Sequence, residues 1–202
     1  MPHVSLFDGA SFSDEITTRS TAPKILSIVQ QTLSAQGASS VTVVGHSLGA
    51  AIALLDGVFL SLHLTSSVTV KVVGYGMPRV GNQAFANFVD NQLQGKVVHI
   101  SNEEDPIPVV PFISLGFHHP SGEIHIQDSG AWGNCPGVLT FLLHFMCPCS
   151  RKALTKSTIS TVVVRLGQDN PSKLCSTGDV SNPLQANIAN HHGPYAGISM
   201  GC

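Results

Sequence analysis

The sequence predicts an α/β fold with a mainly parallel sheet. Apolar residues at helical spacing alternate with short runs of β-branched residues between positions 22 and 101, which is typical of right-handed βαβ units. A glycine-flanked turn also joins one of these runs to an apolar helix. The 202 residues, 43% of them apolar and only 11% charged, are enough for one domain with a sizeable core.

The predicted elements begin after an irregular, polar stretch at residues 1–20. Ile25, Val29 and Leu33 recur at helical spacing, while Pro23 suits the first turn and Gly37 ends the helix. The elements predicted after this helix are a strand at 41–44, a helix at 48–62, a strand at 68–74, a helix at 82–93 and a strand at 96–101. Because ligands of such sheets bind at the carboxyl ends of the strands, functional residues are expected after 44 and after 101.

The turn after the first strand carries the clearest chemical signal. Gly45-His-Ser47-Leu-Gly49 matches Gly-x-Ser-x-Gly, the nucleophile elbow of α/β-hydrolases, in the required strand–turn–helix context. We expect Ser47 to expose its hydroxyl at a strained turn, with a Cβ at Gly45 or Gly49 colliding with the neighbouring chain. The N–H of Leu48, at the start of the helix, is then a donor for an oxyanion. The alternative is a glycine turn that arose by chance.

An acidic residue follows the last predicted strand. Pro106 keeps Asp105 out of the helical region and holds its loop extended, as a carboxylate that orients an imidazole requires. By itself Asp105 could equally be an ordinary turn carboxylate. Glu103 and Glu104 are less constrained, and we expect them to be solvated.

Ten histidines offer several candidate bases. His191 and His192 precede a Gly-Pro turn that could hold an imidazole over the strand ends, and the order Ser, Asp, His is that of α/β-hydrolases. We expect the ring of His46 to point away from the Ser47 hydroxyl. The other histidines between 63 and 125 are expected to be packing or surface residues.

Composition excludes several other functions. A net charge of -2 gives no basic face for nucleic acid, and no apolar run approaches the roughly 20 residues of a membrane span. The first residues lack the pattern of a signal peptide. Among five cysteines, Cys135 and Cys175 could pair in an oxidising compartment, whereas Cys147-Pro-Cys149 without a second nearby pair makes a poor zinc site.

The motifs together resemble those of the class 3 lipases, and most closely those of secreted fungal triacylglycerol lipases. The matching segments are Gly45–Ala50, Gly74–Asn82, Asp105–Pro108, Gly122–Ile126 and a terminal His-x-Gly-Pro-Tyr. They occur in the family's order and extend over roughly residues 22–135 and 168–202. The resemblance implies one α/β-hydrolase domain over 1–202, an extracellular location, and a lipid or other ester substrate bound at an oil–water interface without a cofactor or metal.

The resemblance also implies the site residues. Ser47 corresponds to the nucleophile, Asp105 to the orienting acid and His191 to the base, while counting back from the tyrosine as in shorter family members favours His192. The backbone N–H of Leu48 corresponds to one oxyanion donor.

Two departures from the family pattern modify these expectations. The lid, the first strands and the other oxyanion donor, which precede the elbow in the family, are not legible here, and residues 138–167 resemble an insertion. We therefore expect an incomplete α/β-hydrolase fold with an uncovered sheet edge and weak or no turnover. A soluble-ester (feruloyl-type) esterase and a non-catalytic lipase-like fragment are the alternative functions.

Overall fold

The computed structural model describes residues 21–135, 168–181 and 186–200. Its helices and strands are, in chain order, α1 (Thr21–Gln36), β1 (Ser40–His46), α2 (Leu48–His63), β2 (Thr69–Tyr75), β3 (Gly81–Asn82), α3 (Gln83–Leu93), β4 (Val97–Asn102), β5 (Phe117–His118), β6 (Glu123–Ile126), β7 (Trp132–Asn134) and α4 (Ser176–Asp179). Short 3-10 helices lie at Ile107–Val109, Ile113–Leu115 and Ile188–His192. The predicted helices and strands are all present, with ends that differ by at most two residues.

Some predictions fall on other parts of the chain. The irregular stretch 1–20, the insertion 138–167 and the pair Cys147 and Cys149 lie outside the described residues.

A five-stranded sheet forms the centre of the described chain, with the order β1-β2-β4-β6-β7. The first four strands are parallel and only β7 is antiparallel, so the α/β fold with a mainly parallel sheet is confirmed. The register aligns His46 with Tyr75, Tyr75 with Ile100, and Asn102 with Ile126. The carboxyl ends of all four parallel strands therefore share one edge, where the turn after β1 meets the loop after β4.

Helix α2 packs directly on β1 and β2. Leu54 on the helix and Val72 on β2 are fully buried within one apolar cluster, to which α3 adds Phe85 and Val89. Gly57 allows the close approach, since a Cβ there would lie 2.2 Å from Val72 Cγ2. This packing fixes the start of α2, and with it the turn that carries Ser47.

An apolar surface remains exposed beside β1. In the described sheet β1 is an edge strand, and the side chains of Val44, Leu48 and Ile52 are 60%, 72% and 59% exposed. The uncovered sheet edge expected for the whole chain stays a prediction, because residues 1–20 lie outside the described residues. Within the described ranges, no helix combines the length and the apolar character needed to cross a membrane.

The segment 168–181 is attached to the rest of the chain by a disulfide and by hydrogen bonds, among them those of Asp169. A disulfide joins Cys135, directly after β7, to Cys175, with 5.6 Å between their Cα atoms, so the pairing that the sequence left open is formed. Asp169 receives hydrogen bonds from the Arg79 guanidinium at 2.6 Å and from the His118 ring at 2.9 Å.

Candidate active site

Ser47 occupies the strained turn between β1 and α2. Its φ of 57° and ψ of -131° lie in a region that residues with a side chain rarely adopt. The Ser47 N–H donates to the carbonyl of Tyr75 at 2.9 Å, and the Ser47 carbonyl accepts from the Ala50 N–H at 2.9 Å. The turn is thus attached to both β2 and the first turn of α2, and Ser47 is held at the carboxyl edge of the sheet.

The two glycines of the turn have different roles. A Cβ on Gly45 would lie 2.2 Å from the Gly49 carbonyl oxygen, so the predicted collision is confirmed at this position. The prediction is wrong for Gly49, because a Cβ there would meet no described atom within 4 Å. The reason is geometric: Gly45 faces the first turn of α2, whereas Gly49 lies on its exposed side.

Asp105 is completely buried in the loop that follows β4. Its N–H donates to the Asn102 carbonyl at 3.0 Å, and its Oδ1 accepts the Ile107 N–H at 2.8 Å. Pro106 lies between these residues and begins a 3-10 turn. One carboxylate oxygen is therefore used to fix the loop, which leaves Oδ2 for another partner.

That partner is His191. Its Nδ1 lies 2.8 Å from Asp105 Oδ2, and the residue is only 6% exposed. The neighbouring His192 is exposed, and its Nδ1 donates to the Met200 carbonyl at 3.0 Å. The structure thus brings the first of the two candidate histidines to Asp105 and turns the second towards the C-terminal residues.

The segment that carries His191 is held by side chains from the loop after β4. Asn102 Nδ2 donates to the Asn190 carbonyl at 2.9 Å, and Asn190 Nδ2 donates to Glu104 Oε2 at 2.9 Å. The Glu104 carbonyl also accepts the Asn187 N–H at 2.9 Å. The expectation that Glu104 is merely solvated is therefore wrong, because it positions the histidine segment.

The hydrogen bond to Asp105 decides the tautomer of His191. A carboxylate only accepts, so Nδ1 carries the proton and Nε2 of a neutral ring keeps a lone pair. Among the described residues, the buried Nε2 has no hydrogen-bond partner, and no bond yet joins it to the Ser47 hydroxyl. Such bonds are often long before substrate binds.

Two neighbours of Ser47 contact the His191 ring. The His46 ring lies 4.6 Å from it, centroid to centroid, and a Cβ on Gly76 would lie 2.7 Å from His191 Cε1. The Ser47 N–H donates to the carbonyl of Tyr75, which directly precedes Gly76. The backbone of the Ser47 turn therefore lies close to the His191 ring. Asp105 and His191 are therefore in direct contact, and the Ser47 turn lies at the same edge of the sheet.

Sequence reasoning missed the contacts of two residues at this site. His46 Nε2 lies 2.8 Å from the His191 carbonyl, and the buried Tyr195 hydroxyl donates to the same oxygen at 3.3 Å. The terminal His-x-Gly-Pro-Tyr motif contained the signal for Tyr195. Nothing in the sequence pattern indicated the partner of His46, which is 145 positions away.

An apolar cavity of about 520 Å³ adjoins the Asp105 loop. Pro106, Val109 and Phe112 line it from that loop, and Val180 and Ala186 line it from the C-terminal segments. Arg79 also lines the cavity, but most of its lining residues are apolar, which suits a hydrocarbon group.

Two groups of described residues have ligand atoms close enough to share a metal ion. One consists of Glu123 with Cys135 and Cys175, whose sulfurs are already joined in the disulfide. The other consists of Glu103, Glu104 and Asp128 at the surface. Burial first, and then the nearby Asp128 and Glu104 carboxylates, raise the pKa of Glu103, while His125 partly offsets them.

Comparison with known proteins identifies the family. The family model described as lipase (class 3) matches residues 9–115, slightly more than half of the chain. The chain belongs to the class 3 lipase family. The match includes the Ser47 turn and the Asp105 loop.

Similar class 3 lipases come from Malassezia. The secreted mono- and diacylglycerol lipase MDL2 of Malassezia globosa is 44% identical over 101 residues, which cover 49% of this chain and 33% of that protein. The secreted mono- and diacylglycerol lipase LIP4 of Malassezia restricta is 43% identical over 99 residues, covering 48% and 33%. The chain thus spans about a third of the length of these relatives.

Solved lipases share the fold. Lip2 lipase from Yarrowia lipolytica superposes with a TM-score of 0.58 at 29% identity, over 90% of this chain and 53% of that structure. Lipase II from Rhizopus niveus gives a TM-score of 0.60 at 26% identity, over 85% and 53%. These likenesses agree with the α/β-hydrolase-type core expected from the class 3 lipase motifs.

Proposed function

We propose that this class 3 lipase chain hydrolyses carboxylic esters of the acylglycerol type with a Ser47–His191–Asp105 triad. The observation that carries the proposal is the buried hydrogen bond between His191 Nδ1 and Asp105 Oδ2, at the sheet edge that also holds the strained Ser47 turn. The Malassezia relatives are mono- and diacylglycerol lipases by name, which supports acylglycerols as the substrate class. A solved triacylglycerol lipase, 32% identical over 54% of this chain, is described as having a serine-protease triad as its catalytic centre.

The proposed reaction follows from the protonation states. His191 Nε2 takes the Ser47 hydroxyl proton while Oγ attacks the ester carbonyl, and Asp105 stabilises the imidazolium that results. The Leu48 N–H, at the first position of α2, stabilises the tetrahedral oxyanion. His191 then gives its proton to the leaving alkoxide, and a water activated by the same base releases the carboxylic acid.

The surroundings of the triad favour an apolar substrate. The cavity beside the Asp105 loop and the exposed side chain of Leu48 next to Ser47 offer hydrocarbon contacts, which we assign to acyl chains. The secreted relatives and the disulfide between Cys135 and Cys175 support an extracellular, oxidising location.

Covalent labelling tests the nucleophile. We expect a fluorophosphonate to add once to the wild-type protein, at Ser47, and not at all to Ser47→Ala, with adducts measured by intact mass and peptide mapping. Ser34→Ala, on the exposed side of α1, is the matched control and should label like wild type. Labelling of Ser47→Ala at the wild-type rate would refute the assignment.

Substrate comparison tests the ester class. We expect diacylglycerol to be hydrolysed faster than methyl ferulate, and a short-chain triacylglycerol to be hydrolysed faster above its solubility than below it. A preference for methyl ferulate would support the soluble-ester esterase. Cooperative unfolding without labelling of Ser47 would support the non-catalytic alternative. The weak turnover expected from the sequence stays a prediction that the same assay measures.

A further inference from the structure

The backbone carbonyl of His191 accepts two hydrogen bonds from side chains. The ring of His46 approaches it with Nε2 at 2.8 Å, and the Tyr195 hydroxyl donates to it at 3.3 Å. Because a carbonyl oxygen only accepts, the Nε2 of His46 must carry a proton. Burial, and then the Asp105 carboxylate, raise the pKa of Tyr195 well above its ordinary value, so its hydroxyl remains a donor.

The ring of His46 also contacts the ring of His191. The His46 ring is tilted by 31° to it at a centroid distance of 4.6 Å. A Cβ on Gly76 would lie 2.8 Å from His191 Nδ1 and 3.0 Å from the Tyr195 hydroxyl, so the ring packs over a glycine where no side chain would fit. With Asp105 fixing Nδ1, the position of Nε2 depends on these contacts.

We propose that His46 is a positioning residue, whose Nε2–H and ring hold the backbone and ring of His191 in register with Ser47. His46 precedes Ser47 in the chain, so any shift of the nucleophile turn moves the group that bonds the base. The proposal rests on the proposed function, in which His191 is the base. In this proposal the conformation of the Ser47 turn sets the distance between the Ser47 hydroxyl and the His191 ring, because His46 belongs to that turn.

Two substitutions of His46 distinguish the effect of losing its hydrogen bond from the effect of changing its packing. In His46→Gln the amide nitrogen lies at the same distance along the side chain as Nε2 and can donate to the His191 carbonyl. In His46→Asn the amide nitrogen corresponds to Nδ1 and cannot reach it. We expect His46→Asn to slow fluorophosphonate labelling of Ser47 by roughly 10- to 100-fold, because sub-ångström misplacement of a catalytic group has effects of this size. We expect His46→Gln to restore the rate to within about threefold of wild type.

The loss should appear in kcat and not in KM for a short-chain ester, since His46 is proposed to act on the base and not on the substrate. His63→Asn, at the exposed end of α2, is the matched control and should label like wild type. Equal rates for His46→Asn and His46→Gln, whether both fast or both slow, would overturn the proposal. If His46→Asn does not fold, His46→Met, which keeps the side-chain length of glutamine without a donor, takes its place and should slow labelling by a similar factor. Labelling of His46→Met at the rate of His46→Gln would then overturn the proposal.

A spectroscopic readout separates this proposal from the proposed function. The His191 Nδ1 proton, held by Asp105, should give a downfield NMR resonance in wild type and in His46→Gln that broadens or disappears in His46→Asn. This result would support positioning even in a protein that does not label. A resonance unchanged in His46→Asn would overturn it. Failure of wild-type labelling alone counts against the proposed function.

Discussion

Buried histidines form a group behind the Asp105 loop. His119 is 2% exposed, stacks on His99 at a centroid distance of 4.6 Å, and donates from Nε2 to the Pro108 carbonyl at 2.7 Å. Burial, then the charges of His99 and Arg79, lower the pKa of His119 to about 3. The folded protein therefore keeps this ring neutral at a pH where the unfolded chain binds a proton.

This difference predicts loss of stability in acid. Between the unfolded pKa of about 6.5 and the folded value of about 3 the unfolded state binds one more proton, so the free energy of unfolding falls as pH falls. We expect His119 to account for up to about 2 kcal/mol between pH 7 and pH 5. Urea unfolding at several pH values measures the slope.

Replacing the ring tests the assignment. His119→Gln keeps a donor for Pro108 but cannot titrate, so its unfolding free energy should depend less on pH than that of wild type. His63→Gln, on the exposed end of α2, should keep the wild-type slope. An equal slope in His119→Gln and wild type would contradict the prediction.

A second set of serine, histidine and aspartate shows why geometry alone does not make a site. His125 Nδ1 lies 3.0 Å from Ser101 Oγ, and its Nε2 lies 3.2 Å from Asp179 Oδ2. Ser101 and His125 are 1% and 0% exposed, so no substrate reaches them. Burial alone would raise the pKa of Glu123 beside them, but His99 and hydrogen bonds from Ser176 and Ser101 lower it. We interpret this group as a set of buried hydrogen bonds that attaches α4 to the sheet.

At the scale of elements, the turn from β1 to α2 carries the backbone strain of the site. Ser47 accepts a positive φ because its N–H and carbonyl are both bonded, to β2 and to α2 respectively. Gly45 makes room for the first turn of the helix. The turn therefore depends on the packing of α2 against β1 and β2.

Two alanine substitutions in this turn should have opposite consequences. Gly45→Ala places a Cβ 2.2 Å from a backbone oxygen that cannot move without unwinding α2, and we expect a loss of at least about 2–3 kcal/mol in unfolding free energy. Gly49→Ala meets open space in a helical position and should be neutral or stabilising. Chemical denaturation measures both, and equal effects would contradict the assignment of Gly45 to a steric role.

At the scale of the molecule, residues far along the chain complete the site and its support. In the segment 168–181, Asp169 forms a salt bridge with Arg79, and Asp179 lies within hydrogen-bond distance of His125. The disulfide of Cys175 holds the middle of the segment. The segment 186–200 brings His191 and Tyr195 to the sheet edge. Among the described residues, the apolar side chains of Val44, Leu48 and Ile52 beside β1 remain exposed.

The disulfide should contribute measurably to stability. We expect the double variant Cys135→Ala and Cys175→Ala to lose about 2–4 kcal/mol in unfolding free energy, because the link restricts the unfolded chain. Reductant should lower the unfolding free energy of the wild-type protein to that of the double variant, and it should leave the unfolding free energy of the double variant unchanged. A wild-type protein whose denaturation midpoint does not respond to complete reduction would contradict this expectation.

Much of the site could be predicted because local chemistry marks it. Ser47 lies in a glycine-flanked turn, and Asp105 precedes a proline after a strand, so both positions follow from neighbouring residues. The prediction for Gly49 failed because whether a Cβ collides depends on the direction of α2 over the sheet. The prediction for Glu104 failed because its partners, Asn187 and Asn190, are more than 80 positions away.

The sequence by itself determined the order of helices and strands and the mainly parallel sheet, and it predicted the three kinds of side chain at the proposed site, since these depend on periodicity and on local turn chemistry. It left His191 and His192 as alternatives, and it contained no signal for the contact of His46 with His191. Only the tertiary structure decided these, because adjacent residues on a short helical turn point in different directions. Which of them faces Asp105 depends on packing against distant strands.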